Sequence, residues 1–278
     1  MGSDPRAKLR NLRWNLSRSS PSVVAFSGGA DSAFLAAVAR EVMGRRMVAA
    51  IADSPSLPRR ELRSAVAFAE RHAIELHVIE TEEMDDPRYR RNDHDRCGFC
   101  KAGLIDALSA RPDLAARELL LGVNTDDLQD HRPGQAVARD RGARFPLVEA
   151  GLSKAEVRSL SRELGLETWD KPAAACLASR IAYGVQVTRE GLARIERAED
   201  ALHDLGLAGD VRVRDQGADL ARIEVPPERF DDLLAVRDEV VNGLRAAGFR
   251  FVTLDLEGFR SGSHNLPLIA IGGSRRPG

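Results

Sequence analysis

Cysteine, lysine, net charge and long apolar runs are all scarce in this sequence of 278 residues. Its three cysteines, Cys97, Cys100 and Cys176, form an odd set that is too sparse for a disulfide scaffold. No apolar run approaches the roughly 18–20 residues that a membrane span needs, which excludes a membrane-embedded chain. The 41 basic side chains nearly cancel the 42 acidic ones, so no global field draws the molecule to nucleic acid or acidic lipid. Only four of the basic residues are lysines (Lys8, Lys101, Lys154, Lys171), which leaves 37 arginines, and the skew reads as codon bias rather than phosphate chemistry. The first residues show no charged start, apolar stretch or small-residue cleavage site of a secretory signal, which predicts a cytoplasmic protein with reduced thiols.

What is present is a globular composition, 43% hydrophobic and 30% charged, with length enough for two domains. Short apolar runs alternate with longer helical patterns from the start: Val23–Phe26, Ser32–Val42, Met47–Ala52, Arg59–Arg71, Ile74–Ile79, Lys101–Ser109 and Leu119–Val123. That alternation predicts an α/β fold, a doubly wound parallel sheet whose ligand lies at the carboxyl ends of the strands. Ser153-Lys154-Ala155-Glu156 is a capping box that opens a further helix ending near Gly165. The first domain is therefore placed at 1–170. A loop rich in Pro, Ala and Gly follows at 171–187 and contains Cys176. A smaller α/β domain is placed at 188–265, with a helix at 188–205, two strands around Gln216-Gly217, a helix at 230–247 and a strand at 251–256. Residues 266–278 read as a disordered tail.

Between the first strand and first helix lies Ser27-Gly28-Gly29-Ala30-Asp31-Ser32. Two glycines let the backbone approach an anion, and a helix N-terminus presents unpaired N–H groups, so the segment suits phosphate. Neither the Walker A Gly-Lys-Ser/Thr nor the dinucleotide Gly-x-Gly-x-x-Gly is there. The competing reading is an ordinary tight turn capped by Asp31 or Ser32.

Arg96-Cys97-Gly98-Phe99-Cys100-Lys101 precedes a predicted helix, where a helix N-terminus and nearby cations favour thiolates. Taken alone, Cys176 is as well explained as a small buried hydrophobe. With the Cys-x-x-Cys pair it suits either an open zinc site, which His94 could complete, or an iron–sulfur cluster with one free iron.

The segment Ser27-Gly28-Gly29-x-Asp31-Ser32 resembles the pyrophosphate loop of the ATP pyrophosphatases, enzymes that adenylate an oxygen of the substrate and release pyrophosphate. The resemblance implies that Ser27, Gly28, Gly29, Asp31 and Ser32 hold the leaving pyrophosphate and its Mg²⁺. Asp53 and Ser54, and Gly122 with Asn124, would flank the adenosine. Longer segments narrow the resemblance to the LarE family of ATP-dependent sulfur transferases. They are Ala52–Pro58, Asp126–Gly134, Pro146–Ala150, Trp169–Ile181 and Leu254–Ser263, and together the matches run from about residue 20 to 265.

Membership of that family implies conversion of the carboxylates of pyridinium-3,5-biscarboxylic acid mononucleotide to thiocarboxylates, for synthesis of the nickel-pincer nucleotide. In some members the cysteine matching Cys176 surrenders its own sulfur and becomes dehydroalanine. In others three cysteines hold a 4Fe-4S cluster that can carry an extra sulfide. Having Cys97 and Cys100 as well as Cys176, this chain matches the second type. The family also implies a homo-oligomer, a hexamer built from the second domain.

Arg180, Arg212, Arg214 and Arg260 are the candidates for the substrate's phosphate and carboxylates, because the planar guanidinium fork suits both groups. Phe259 stands where the family commonly has tyrosine, and His264-Asn265-Leu266 where Met-Asn-Glu is common. The rival readings are a tRNA thiolase, an ammonia-using amidating synthetase and a non-catalytic nucleotide sensor. Near-zero net charge with no RNA-binding extension speaks against the first, and three cysteines against the second.

Overall fold

The computed structural model describes residues 4–129, 133–172, 175–207 and 209–260. They fall into two compact units, Met1–Glu83 with Cys97–Ala174, and Met84–Arg96 with Ala175–Gly278. The expected tail at 266–278 and His264-Asn265-Leu266 lie outside the described residues.

In the first unit, strands β1 (Ser22–Ala25), β2 (Met47–Asp53), β3 (Leu76–Glu80) and β4 (Glu118–Leu121) form one sheet in the order β3-β2-β1-β4. All three pairings are parallel, with Val24 opposite Ala49 on one side and Leu120 on the other. The helices of eight or more residues are α1 (Pro5–Ser17), α2 (Ala30–Met43), α3 (Arg59–Arg71), α4 (Arg96–Ser109), α5 (Pro133–Asp140) and α6 (Lys154–Glu163). Side chains of β1 and β2 alternate between two apolar clusters. Val24, Ala49 and Ile51 join Leu12, Phe34, Phe68 and Val157, whereas Val23, Val48 and Ala50 join Leu104, Ile105 and Ala138. Both faces are covered, which is why these strands read as continuous apolar runs rather than alternating ones. The α/β doubly wound fold expected from the sequence is the fold observed.

Three local differences have physical causes. Helix α1 was not read from the sequence, yet Asp4 caps it by accepting from the Arg6 N–H at 3.1 Å, and Pro5 occupies its first position. Helix α4 begins at Arg96, not Lys101, so Cys97 and Cys100 lie within its first two turns rather than ahead of it. The capping box at α6 is present as expected, with Ser153 and Glu156 exchanging side-chain-to-backbone hydrogen bonds of 3.3 and 2.8 Å.

The second unit contains α7 (Arg189–Asp204), β5 (Arg212–Asp215), β6 (Leu220–Glu224), α8 (Arg237–Ala247) and β7 (Phe251–Leu254). Its sheet runs β5-β6-β7, with β5 and β6 antiparallel and β6 and β7 parallel. The helix expected at 230–247 is divided: Phe230–Ala235 ends where Val236 leaves helical geometry (φ −115°, ψ 28°). A new N-terminus forms there, with Asp238 and Glu239 in its first turn. Met84–Arg96 belongs to this unit because fully buried Asn92 donates to the carbonyls of Ile181, Ala182 and Val185 at 2.8–3.2 Å. Among the described residues, no helix is long and apolar enough to cross a membrane.

Candidate functional site

In the first unit β1 sits between β2 and β4, so the segments leaving these three strands meet at one edge, where the strand order reverses. Ser27–Ser32 is the loop from β1 into α2. Gly28 adopts φ +71°, which favours glycine, and a Cβ there would lie 3.1 Å from that of Ala65 on α3. The Ser32 hydroxyl donates to the Gly29 carbonyl at 3.1 Å and accepts from the Ser27 N–H at 3.2 Å, and the two serine hydroxyls are 3.1 Å apart. Gly29 is the N-cap of α2 and no side chain caps that helix end. Ser32 ties the loop together without capping α2, which leaves the first N–H groups of that helix available to an acceptor from outside.

Gly122, just past β4, is fixed by contact with this helix end. A Cβ on it would lie 2.8–2.9 Å from Ser32 N and Cα and the Asp31 carbonyl carbon, all backbone atoms. Asn124 follows, fully buried, and its amide donates to Asp31 Oδ1 at 3.2 Å, while its Oδ1 accepts from the N–H groups of Asp126 and Asp127. Burial is the main cause that raises the Asp31 pKa, and the charge of Asp127 adds to it; Asn124, Lys154 and Arg158 oppose. On the β2 side, Asp53 accepts from Arg59 at 2.5 Å, and Ser54 is buried with its hydroxyl accepting from the Ser56 N–H. Asp53 is thus already engaged by a cation.

Cys97 is exposed on the first turn of α4 and Cys100 half-buried one turn further on, and no cysteine is in a disulfide. Lys101 is held below its ordinary pKa by burial, with Cys100 and Cys97 pulling it partly back. Cys176 lies in the second unit, immediately before the short turn Leu177–Arg180. Among the described residues no three His, Cys, Asp or Glu side chains gather at metal-binding distance. His94 is exposed and joins no such group.

In the second unit the four candidate arginines separate. Arg180 is buried, pairs with buried Glu199 at 3.0 Å, and donates to the carbonyls of Ala175 and Cys176. Arg214 pairs with fully buried Glu224 at 2.6 Å and donates to the Ser179 carbonyl. Arg212 is equally buried, but its nearest ion-pair partner, Asp210, is 3.9 Å away, and its guanidinium lies over the Phe259 ring at 5.0 Å. Burial, then the charge of Arg180, lower its pKa, with Arg214 adding a smaller push. Arg260 is exposed and paired with Glu257. Arg180 and Arg214 already have their carboxylates, which leaves Arg212 as the buried cation with anion-binding capacity to spare.

The NAD synthase family matches residues 12–104, the segment carrying the pyrophosphate loop. An uncharacterized protein of Synechocystis is 45% identical over 264 residues, 93% of this chain and 97% of its own length. Pyridinium-3,5-bisthiocarboxylic acid mononucleotide synthase of Lactiplantibacillus plantarum is 37% identical over 247 residues, 87% of this chain and 88% of its own. The chain belongs to the LarE family. An uncharacterized protein of Methanocaldococcus jannaschii is 25% identical over 255 residues.

As a LarE-family chain on a pyrophosphate-loop scaffold, the protein is an ATP-dependent sulfur transferase of nickel-pincer cofactor synthesis. Several residues near the loop were not singled out from the sequence: Asp127, Lys154 and Arg158 around Asp31, and Lys171 and Glu61 beside Gly28. The scarcity of lysine was the available signal. Three of the four lysines turn out to be Lys171 at the loop, Lys154 near Asp31 and Lys101 beside the cysteines.

Proposed function

We propose that the protein adenylates a carboxylate of pyridinium-3,5-biscarboxylic acid mononucleotide and replaces its activated oxygen with sulfur. A carboxylate oxygen attacks the α-phosphorus of ATP, the bond to the β-phosphate breaks, and pyrophosphate leaves. A sulfur nucleophile then attacks the acyl carbon and AMP departs with the former carboxyl oxygen. The observation that carries this reading is the uncapped start of α2 behind Ser27-Gly28-Gly29, with Asp31 and Asp127 beside it. Backbone N–H groups and a helix dipole suit the negative charge that grows on departing pyrophosphate.

Mg²⁺ commonly binds through one or two carboxylates and completes its shell with water and substrate phosphates, so two carboxylates at one place fit it. Asp31 and Asp127 would hold the ion, which would neutralise phosphate charge. Ser27, Gly28, Gly29 and Ser32 would cradle the pyrophosphate, and Ser54, Gly122 and Asn124 would border the adenosine. In the second unit Arg212, flanked by Arg180 and Arg214, would take the substrate's phosphate; Arg260, on the surface, would guide rather than hold it.

The donor chemistry of three thiols fits a 4Fe-4S cluster, for which Cys97, Cys100 and Cys176 would be the ligands. Such a cluster would supply the sulfur at the sulfide level that the acyl adenylate requires. Arg180 and Ser179 grip the Cys176 carbonyl at 2.9 and 2.7 Å, which sets the backbone from which that thiol projects. The assembly expected is a homo-oligomer.

The test is anaerobic incubation with ATP, Mg²⁺ and the biscarboxylated mononucleotide, with mass analysis of nucleotide and protein. The expected result is AMP, pyrophosphate, a nucleotide with oxygen exchanged for sulfur, and a protein of unchanged mass. Release of ADP and phosphate sinks the adenylation reading. A protein lighter by one hydrogen sulfide replaces the cluster donor with sacrificial Cys176.

A further inference from the structure

Lys171 is one of four lysines in a chain with 37 arginines, and it lies on the pyrophosphate loop. Its ammonium donates to the Gly28 carbonyl at 3.0 Å and pairs with Glu61 of α3 at 2.8 Å, both side chains about one-fifth exposed. The segment that presents it is braced. The Lys171 N–H donates to the Thr168 carbonyl at 3.1 Å, Arg158 donates to the Lys171 carbonyl at 2.8 Å, and Arg162 lies over the Trp169 ring.

Two consequences follow from elementary geometry. The carbonyl and N–H of one peptide point in opposite directions, so a cation fixed on the Gly28 carbonyl turns the Gly29 N–H the other way. The N–H then faces the hydroxyl of Ser27, 3.4 Å away, on the loop's opposite side. Secondly, an ammonium is a compact charge with three rotatable donors on a flexible stem, whereas a guanidinium is a rigid fork. A lysine can hold the carbonyl and Glu61 and exchange the latter for a phosphate oxygen without moving its backbone.

We propose that Lys171 belongs to the ATP site, where it orients the 28–29 peptide and transfers its charge from Glu61 to the β- and γ-phosphates as ATP binds. Glu61 is then the resting partner that keeps the ammonium extended over the loop. This assignment rests on the ATP-dependent reading above, and deepens it.

The experiment measures ATP binding by calorimetry, and pyrophosphate release against ATP concentration, for the wild type, Lys171→Met and Glu61→Gln. Loss of a charge-assisted hydrogen bond predicts an ATP affinity weaker by about 10–100-fold in Lys171→Met, with the KM for ATP rising in parallel. Glu61→Gln removes a competing carboxylate, so its affinity tightens by about two- to five-fold. A purely structural ion pair makes both variants weaken alike. That outcome, or unchanged affinity in Lys171→Met, overturns the assignment while the ATP-dependent reading stands. A wild type that binds no ATP overturns the reading itself.

Discussion

The two units build their candidate sites from different materials. The first uses backbone: two glycines, two serine hydroxyls and the N–H groups of an uncapped helix, with charged side chains around the margin. The second uses buried charge: Arg180 with Glu199, Arg214 with Glu224, and Arg212 short of a close carboxylate. A backbone site dictates residue type at fixed positions, because only glycine tolerates the required φ and the required approach. A side-chain site dictates only that charges balance, which many sequences achieve.

The largest effect that would test this difference is in the second unit. Glu199 accepts from Arg180 twice and from the Val213 N–H at 3.1 Å, all out of water. Glu199→Ala strands a buried guanidinium and is expected to destabilise the protein by about 3–5 kcal/mol. Urea unfolding should show the midpoint falling with the slope unchanged. A loss below about 1 kcal/mol would mean that Arg180 is solvated and free to bind substrate.

Next in size is Gly122→Ala in the first unit. The added methyl meets backbone of α2 at 2.8–2.9 Å, and backbone cannot rotate away as a side chain can. Overpacking of this kind costs about 1–3 kcal/mol. Because the displaced atoms belong to Asp31 and Ser32, ATP binding should weaken together with stability; loss of stability with full ATP affinity would detach Gly122 from the site.

This contrast explains what could be read in advance. Ser27–Ser32 was legible because Gly28 answers a backbone demand and the two serines tie the turn, and the parallel sheet was legible because both faces of β1 and β2 are covered. The arginines were not, since nothing in a chain with 37 of them says which is already neutralised. Arg180 and Arg214 look like Arg212 in sequence, and only the positions of Glu199 and Glu224 separate them. Lys171 and Glu61 are 110 positions apart, a pairing that no local pattern encodes. The shift of the α4 start from Lys101 to Arg96 has another origin: glycine at 98 lowers helix propensity there, and the helix forms through it nonetheless.

Arg212 offers a smaller and opposite test. A buried cation that donates to the Val211 carbonyl at 2.8 Å but has no carboxylate nearer than Asp210 burdens the apo protein, so Arg212→Met is expected to raise stability by about 1 kcal/mol while weakening binding of the phosphate-bearing substrate. Thermal melts with and without the mononucleotide measure both. A destabilised Arg212→Met would place this arginine with Arg180 and Arg214 as part of the internal charge balance.

Asp31 is the counterpart in the first unit, and its expected effect is the smallest. Its folded-state pKa lies above the unfolded one, chiefly through burial, so the protonated form is favoured in the folded chain. The associated stability is present below the unfolded pKa and is lost as pH rises through the raised folded value. Asp31→Asn removes that loss. The variant should match the wild type at low pH and gain on it as pH rises towards neutrality, in melts taken from about pH 4 to about pH 8. Adding Mg²⁺ and ATP should reverse the order, because the wild-type carboxylate gains a cation that asparagine holds poorly. If the order persists with nucleotide present, Asp31 serves the fold rather than the ion. If it reverses, both units carry the same mark of function, a desolvated charge left under-compensated until its ligand arrives.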